Sequence, residues 1–424
     1  MKKYLLLSIC FLFCFGFVEL SDFRLFTSAN AASILNSSPA DSSVIIASCL
    51  PEEVGMNSYT LQGIDFIAEN AIRNRVFPGC QVVVLKNGKQ VYNKSFGNYT
   101  YETVQKVNDT TMYDLASLSK TTGTLFGIMK LYDNKMLDIN DKASAYLPFL
   151  KNTDKENIRI IDLLFHETGL PAYINFYTSI KNPTVLQQDS IHDIGMRMIA
   201  NTQLGSKKYL YSCINFILLK EIIESITELP MDEFLNNEFY SHLGLKNLCY
   251  KPLTTHKKSD IAPTLKLNSS KGFLQGEVHD PAASYFGGIS GNAGLFGSAH
   301  DVAVIYQMLI NNGEFNGKQY LCEQTCQLFT TTVSASGRRG LGFDKPVPTN
   351  LAVNPCSKLA PQAVYGHTGY TGTCCWVDPV NQLVYVFLSN RTYPSDGENK
   401  LAKMGIRPKI QDVIYQSIIK FKMK

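Results

Sequence analysis

Residues 80–96 read CQVVVLKNGKQVYNKSF, and this stretch decides the architecture that we predict. Two runs rich in β-forming residues, 80–85 and 90–96, flank the pair Asn87-Gly88. Asn and Gly both tolerate the positive φ angles of a type I′ turn, which makes this pair the strongest short signal for a β-hairpin. The sequence therefore predicts two antiparallel strands joined by a tight turn.

A second hairpin and a set of helices surround the first hairpin. Residues 372–377 and 383–389 are β-rich runs joined by Asp-Pro-Val-Asn. Apolar residues at helical spacing predict helices, in chain order, at 61–76, 118–133, 158–165, 214–227, 231–238, 300–312 and 410–421.

Strands near both ends of the chain, with helices between them, predict an α/β plus all-α fold. An antiparallel sheet is built from both termini, with flanking helices and an inserted helical lobe. We expect the α/β lobe to cover about 55–120 and 360–424, and the helical lobe to cover about 121–359.

The charge pattern and the first residues bear on location. The 424 residues carry a net charge of +4 from 40 basic and 36 acidic side chains. No run of five or six like charges occurs, which argues against a nucleic-acid groove and against a polybasic membrane patch. Lys2 and Lys3 precede an apolar run over 4–18, as in a secretory leader, and Ala29-Asn30-Ala31 offers a cleavage site.

We therefore expect a signal peptide over 1–31, or alternatively an uncleaved amino-terminal anchor. A linker over 32–54 and one folded domain over 55–424 follow. The expected location is outside the cytoplasm, in the periplasm or at the cell surface, with no stable membrane insertion once the leader is removed.

The cysteines and one set of histidines and acids raise the question of disulfides and metals. The chain has 11 cysteines, and those that follow the predicted leader are odd in number and thinly spread, unlike a disulfide framework or a zinc site. His166-Glu167 lacks a second histidine at helical spacing, so the zinc-protease pattern fails. We interpret it as loop structure, and His279-Asp280 as loop structure that lines the wall of a site. No metal and no cofactor are expected.

Ser117-Leu118-Ser119-Lys120 is the first candidate for chemistry. Residues three apart share a helical face, so the Lys120 amine is able to reach the Ser117 hydroxyl. A serine needs a neighbouring base to take its proton, and we expect burial in an apolar helix to lower the pKa of Lys120 for that task. The Ser-x-x-Lys pattern alone does not identify a catalytic serine, because residues 417–420 also satisfy it. We interpret residues 417–420 as a surface turn.

Two further elements lie downstream. Tyr211-Ser212-Cys213 precedes an apolar helix, and a phenol acts as a base only beside a cation such as Lys120. The alternative interpretation of Tyr211 is a half-buried tyrosine at the start of a helix, with no role in proton transfer. Gly366-His367-Thr368-Gly369 leads into the strand at 372–377, where small residues let a substrate backbone lie close. A hydrogen-bonded turn histidine is the alternative for His367.

In this order, the three elements resemble the Ser-x-x-Lys, Tyr-x-Asn and Lys/His-Thr-Gly signature of the serine β-lactamase and penicillin-binding-protein superfamily. The similarity is to the class C-like branch, which includes family VIII esterases and D-alanyl carboxypeptidases. It covers roughly 55–424, and it includes the stretches LLFHETGLP at 163–171, EVHD at 277–280, AGLF at 293–296 and HTGYTGT at 367–373. It implies a β-lactamase/transpeptidase-like fold.

The resemblance also implies roles. Ser117 would attack a carbonyl carbon to form an acyl-enzyme, and Lys120 and Tyr211 would share the proton transfer. The backbone N–H groups of Ser117 and Tyr370 would form the oxyanion hole. The segment His367-Thr368-Gly369 would bind substrate, with His367 facing the substrate carboxylate or the Tyr211 hydroxyl.

Two positions depart from the signature. Cys213 stands at the substrate-binding position where this branch has Asn or Asp, so a side-chain donor to a substrate amide is missing; we do not interpret Cys213 as the nucleophile. His367 replaces the lysine of true β-lactamases, and a histidine with an ordinary pKa near 6.5 would bind a carboxylate weakly and in a pH-dependent way. Both departures favour a broad esterase or peptidase with weak or no β-lactamase activity.

We therefore predict an exported serine hydrolase that acts through an acyl-enzyme on an ester, a D-amino-acid peptide or an amide. Its substrate would be a small molecule or a peptidoglycan-type molecule. The α/β-hydrolase alternative fails because no G-x-S-x-G occurs; residues 288–292, GISGN, come nearest. A non-catalytic, penicillin-recognising scaffold is the other alternative. Cys213 favours it, whereas the intact Ser117, Lys120 and Tyr211 argue against it.

Overall fold

The computed structural model describes residues 46–179, 188–268, 272–347 and 354–419, of which 179 and 188–190 are described by backbone alone. The leader predicted over 1–31, most of the linker over 32–54 and the end of the last predicted helix lie outside these residues. Within the described ranges, no helix combines the length and the apolar composition that crossing a bilayer requires.

The strands follow one another from residue 79 to residue 389. In chain order they are β1 (Gly79–Lys86), β2 (Lys89–Gly97), β3 (Tyr113–Asp114), β4 (Leu248–Tyr250), β5 (Leu265–Lys266), β6 (Phe273–Leu274), β7 (Leu295–Gly297), β8 (Glu314–Phe315), β9 (Lys318–Gln319), β10 (Tyr365–Thr368), β11 (Cys374–Asp378) and β12 (Leu383–Ser389).

The main sheet has five strands in the order β10-β11-β12-β1-β2, and every neighbouring pair is antiparallel. Both predicted hairpins are confirmed, because β1 pairs with β2 and β11 pairs with β12. The first turn has φ of 52° at Asn87 and 74° at Gly88, as a type I′ turn requires. The two hairpins join where β1 pairs with β12, so the sheet is built from both ends of the chain.

The helices occupy the flanks of the sheet and most of the sequence between the hairpins. In chain order they are α1 (Ser58–Leu61), α2 (Gly63–Arg73), α3 (Leu125–Asp133), α4 (Ala143–Tyr146), α5 (Ile160–Phe165), α6 (Gln188–Asn201), α7 (Cys213–Thr227), α8 (Met231–Leu235), α9 (Pro281–Tyr285), α10 (Ala299–Ile310), α11 (Glu323–Thr331), α12 (Lys400–Lys403) and α13 (Ile406–Ser417).

The sheet is covered on both faces, which explains why β1 is almost continuously apolar. Val82 and Val84 pack into a cluster with residues of α2 and α13, whereas Val83 and Leu85 pack into the larger cluster that includes α3, α7 and α10. Successive side chains of a strand point to opposite faces, so one strand contributes to both cores. The larger core carries the segment that leads into the site.

Candidate active site

The Ser117 turn differs from the single helix that the sequence predicted over 118–133. Ser117 lies in a 3₁₀ turn, Ala116–Leu118, which a π-helical turn, Lys120–Thr124, follows before α3 begins. The Lys120 Nζ atom lies 3.1 Å from the Ser117 Oγ atom, so the two predicted side chains do meet.

A buried carboxylate holds this turn in place. Ala116 has a φ of +47°, which is unusual for a residue with a side chain. The Asp114 Oδ1 atom accepts a hydrogen bond from the Ala116 N–H at 2.8 Å, and Asp114 Oδ2 accepts one from the His279 N–H at 2.8 Å. Burial raises the pKa of Asp114 to about 6, although these two hydrogen bonds oppose the effect.

Lys120 is fully buried and has several partners. Its Nζ donates to the backbone carbonyl of Asn292 at 2.8 Å and lies 3.7 Å from the Cys213 Sγ atom. Burial lowers the pKa of Lys120, but the electrostatic effects of Cys213 and Tyr211 and a hydrogen bond with Tyr211 outweigh it, so the pKa lies above its ordinary value. The expectation of a lowered pKa is wrong, and Lys120 is an ammonium group at neutral pH.

Tyr211 lies just before α7, and the residues around it come from distant parts of the chain. The Lys120 Nζ atom lies 5.2 Å from the centre of the Tyr211 ring, and the Arg339 guanidinium carbon lies 5.4 Å from it. The ring centres of His166 and His367 lie 4.6 Å and 5.9 Å from that of Tyr211. The predicted serine, lysine, tyrosine and histidine therefore share one site.

A cavity of about 400 Å³ opens beside these residues. Six predicted site residues line it: Ser117, Tyr211, His367, Thr368, Gly369 and Tyr370. Lys120 is buried behind Ser117. Cys213, the first residue of α7, contacts Lys120 and is not among the residues that line the cavity.

His367 is buried and neutral. Its Nδ1 atom lies 2.7 Å from the Thr368 carbonyl oxygen, which only accepts, so Nδ1 carries the hydrogen. Its Nε2 atom accepts from the Arg339 Nη2 atom at 3.1 Å. Burial lowers the pKa of His367 well below its ordinary value, and Arg339 and Lys120 lower it further. The expectation that His367 titrates near 6.5 is therefore wrong, whereas its contact with a substrate carboxylate stays a prediction.

Two arginines that no sequence motif indicated, Arg338 and Arg339, lie beside His367 in the cavity wall. Arg339 is 1% exposed, and its Nη1 atom lies 3.1 Å from an oxygen of Asp344 that Arg338 also contacts. The Nε atom of Arg339 is buried with no hydrogen-bond partner among the described residues. Burial lowers the pKa of Arg339 to about 10, so it stays charged at neutral pH. Both arginines line the cavity, and two guanidinium groups share one carboxylate.

The segment from Gly369 to Thr373 is bonded directly to the Ser117 turn. The Thr371 hydroxyl donates to the Asp114 carbonyl at 2.6 Å, and the Thr373 hydroxyl donates to the Leu115 carbonyl at 2.9 Å. A Cβ atom at Gly369 would collide with the Thr373 hydroxyl, so only glycine fits there. The Ser117 and Tyr370 N–H groups, the two candidate oxyanion donors, therefore belong to two segments that are tied together.

Arginine and histidine side chains surround Tyr370. The Arg391 Nε atom donates to the Tyr370 carbonyl at 2.6 Å, and its guanidinium lies 4.2 Å from the ring centre. The His279 ring stacks on Tyr370 at 5.6 Å, but neither His279 nor Asp280 is among the residues that line the cavity. Asp280 accepts from the Ala283 N–H at 2.9 Å at the start of α9. Nowhere in the described ranges do three or more His, Cys, Asp or Glu side chains gather as metal ligands would.

Comparisons with known proteins agree with this geometry. A family model described as Beta-lactamase matches residues 65–405. A relative from Salmonella paratyphi A, named a D-alanyl-D-alanine carboxypeptidase, is 32% identical over 379 residues, which cover 82% of this chain and 87% of that protein.

Solved structures share the fold. EstCE1, described as a hydrolase with promiscuous acyltransferase activity, gives a TM-score of 0.67 at 21% identity and covers 84% of this chain and 99% of its own. A class C beta-lactamase gives a TM-score of 0.62 at 19% identity and covers 84% of this chain and 98% of its own.

Proposed function

This chain belongs to the beta-lactamase family of serine hydrolases, and from that premise we propose that Ser117 is acylated by a substrate whose leaving group carries a carboxylate. The family assignment confirms the predicted β-lactamase/transpeptidase-like fold. The observation that carries the proposal is the Ser117–Lys120 hydrogen bond of 3.1 Å beside a cavity lined by Arg338 and Arg339.

The first half of the reaction forms the acyl-enzyme. The Ser117 Oγ atom bonds to the carbonyl carbon, and the carbonyl electrons move onto its oxygen, which the N–H groups of Ser117 and Tyr370 stabilise. Because Lys120 is an ammonium group with no free electron pair, Tyr211 acts as a relay: its oxygen takes the serine proton and releases its own hydroxyl proton. The proton then reaches the leaving nitrogen or oxygen as its bond to carbon breaks.

The second half releases the acid. Water attacks the carbonyl carbon of the Ser117 ester; one of its protons passes to the Tyr211 oxygen, while the Tyr211 hydroxyl proton passes to the Ser117 oxygen. The bond from Ser117 to carbon breaks, and Ser117 regains its hydrogen. Throughout, Lys120 donates to Ser117 and offsets negative charge that builds up on Tyr211, since its ammonium lies beside both side chains.

The arginines favour a substrate with a carboxylate. Arg338 and Arg339 present two positive charges against one Asp344, and a carboxylate in the cavity would balance the charge. A D-amino-acid peptide with a free carboxyl end has this chemistry, in line with the name of the Salmonella relative. His367 would act indirectly, by holding Arg339 through Nε2.

Ester hydrolysis is the second candidate, and Cys213 favours it. The Cys213 thiol lies against Lys120 at the position where the family signature has an amide or carboxylate side chain. A thiol is a weak hydrogen-bond donor, so an amide substrate would lose a contact that an ester does not need. We expect weak or no β-lactamase activity for the same reason.

Location and domain limits remain proposals. We propose export to the periplasm or the cell surface on the basis of the leader pattern over 1–31, and a peptidoglycan-type or small-molecule substrate. The lobe boundaries near 120 and 360 also stay predictions.

The experiment is covalent labelling. We expect a fluorophosphonate probe to add to Ser117, as mapped by peptide mass, and to leave Ser117→Ala unlabelled. Release of D-alanine from a D-alanyl-D-alanine peptide would identify the peptidase, whereas turnover of a p-nitrophenyl ester alone would identify the esterase. Absence of any adduct on the folded protein would favour the non-catalytic scaffold.

A further inference from the structure

His166 is attached to the chain on both sides of Tyr211. Its Nδ1 atom lies 3.2 Å from the Ser212 backbone nitrogen, and its carbonyl oxygen accepts from the Leu210 N–H at 2.9 Å. Its ring centre lies 4.6 Å from that of Tyr211, with 37° between the ring planes. The residues before and after Tyr211 are thus both bonded to His166, and its ring packs against the Tyr211 ring.

The hydrogen bonds fix the protonation of His166. A backbone N–H only donates, so Nδ1 is the acceptor of the Ser212 bond and Nε2 carries the hydrogen. The Asn215 side-chain nitrogen lies 3.0 Å from the same Nδ1. Burial lowers the pKa of His166 well below its ordinary value, and Arg339 and Lys120 lower it further. His166 therefore stays a neutral acceptor over the pH range of an assay.

The backbone and a second layer fix the ring itself. His166 ends α5 with a φ of +56°, a left-handed conformation that His and Asn adopt more readily than most residues. The Thr168 hydroxyl donates to the Asn215 side-chain oxygen at 2.9 Å, which orients the Asn215 nitrogen toward His166. His166 itself is completely buried. Its place is therefore set independently of Tyr211.

We propose that His166 is a positioning residue that sets where the Tyr211 hydroxyl lies relative to Ser117. The inference rests on the proposed role of Tyr211 in proton transfer. A proton acceptor must lie within hydrogen-bond reach of the proton, and a misplacement of about 1 Å costs as much as ~100-fold in rate. Because the arginines are held by Asp344, losing His166 lowers kcat and leaves KM for a carboxylate substrate nearly unchanged.

Two substitutions of His166 distinguish the effect of its aromatic ring from the effect of its hydrogen-bond acceptor. His166→Phe keeps an aromatic ring and removes the acceptor, and we expect kcat to fall about 30-fold with KM within about 3-fold of wild type. His166→Asn keeps an acceptor and tolerates the left-handed backbone, and we expect it to recover most of that loss. Wild-type kcat in a folded His166→Phe protein would overturn the inference.

A double-mutant cycle asks whether His166 acts through Tyr211. We expect His166→Phe to cost less than about 3-fold in a Tyr211→Phe background, because the group that it positions is already gone. An equal cost in both backgrounds would overturn the inference. The rate of fluorophosphonate labelling at Ser117 serves as readout if Tyr211→Phe turns over too slowly.

Ser212→Ala is the matched control for His166→Phe, and Ser117→Ala is the reference variant for the proposed function. Ser212→Ala removes a buried 2.6 Å bond from the Ser212 hydroxyl to the Pro171 carbonyl but keeps the N–H bond to His166. We expect a loss of thermal stability with kcat within about 3-fold; a loss equal to that of His166→Phe would mean generic loop anchoring. If Ser117→Ala keeps its activity, the proposed function fails. If only the cycle fails, the inference about His166 alone is wrong.

Discussion

The cavity beside Ser117 has two ends that the chain assembles in different ways. The proposed catalytic end consists of Ser117 and Lys120, which one turn places 3.1 Å apart, and of Tyr211, which comes from a distant part of the chain. The proposed recognition end, made of Arg338, Arg339 and Asp344, is organised by ion pairs within a loop that only the folded chain brings near the serine. Local sequence places Ser117 beside Lys120, whereas tertiary structure brings both Tyr211 and the proposed recognition end to them.

The two ends also differ in how they respond to protons. At the catalytic end, Asp114 has a pKa raised to about 6 by burial, so its charge changes near physiological pH. At the recognition end, Arg339 has a pKa of about 10 and His367 stays neutral, so the charge there is constant. The two ends therefore differ in how their charge depends on pH, and four variants test whether chemistry and binding are separable.

The largest effect is expected when the catalytic end alone is disabled. Ser117→Ala should lower kcat for a p-nitrophenyl ester by about 10⁴-fold, because the acyl-enzyme no longer forms. Binding of N-acetyl-D-alanyl-D-alanine, measured by calorimetry, should stay within about 3-fold, since the arginines are untouched. Loss of binding together with turnover would show that the two ends are not separable.

The next effect is expected at the recognition end. Arg339→Leu should lower kcat/KM for a peptide with a free carboxylate by about 10- to 100-fold, as loss of a charged hydrogen bond implies. A neutral p-nitrophenyl ester should change by less than about 5-fold. Arg73→Gln, on the exposed end of α2, is the matched control and should alter neither substrate. An equal loss on both substrates would contradict the assignment.

A third, smaller effect concerns the boundary between the ends. Cys213→Asn should raise kcat/KM for an amide relative to an ester by about 10-fold, because an amide side chain supplies the missing donor. The free energy of unfolding should change by less than about 1 kcal/mol, since Cys213 is half-buried. Cys249→Ala, a half-buried thiol elsewhere, is the control. A collapse of stability would mean that Cys213 serves packing alone.

The smallest effect is a pH dependence of stability from Asp114. Its pKa is about 6 in the folded state against 3.8 ordinarily, so the folded state binds the proton first and is stabilised as pH falls from 7 to 5. This contribution is about 1 kcal/mol over that interval. Asp114→Asn lacks it, so urea denaturation at the two pH values should show a difference about 1 kcal/mol smaller than in wild type. An unchanged difference would rule out Asp114 as the source.

Much of the fold could be predicted because its signals are local. Asn87-Gly88 specifies its own turn, and the apolar periodicity of α7 and α10 is visible in any window of the sequence. The Ser117 turn was harder, because a 3₁₀ turn and a π-helical turn have the same apolar pattern as the α-helix that we predicted over 118–133.

The residues of the site also fall into two groups, those that a sequence motif indicates and those that no motif indicates. The serine, lysine, tyrosine and histidine occur in short motifs, and the structure brings them together. Arg338 and Arg339 follow a glycine in a loop, and nothing within several residues of them marks a binding site. The directions of the pKa shifts of Lys120 and His367 could not be predicted from the sequence either, because residues from other parts of the chain determine them. His166 was interpreted as loop structure because its contact with Tyr211 is purely tertiary.

The two threonine hydrogen bonds that reach the Ser117 turn have a consequence for biosynthesis. Thr371 and Thr373 leave the ribosome more than two hundred residues after Asp114 and Leu115, whose carbonyls they bond. The strands β10, β11 and β12, which complete the sheet around β1, are equally late. A nascent chain that still lacks these residues holds every atom of Ser117 and Lys120 but no assembled pocket. The pocket can therefore assemble only after the chain has been made as far as these late strands.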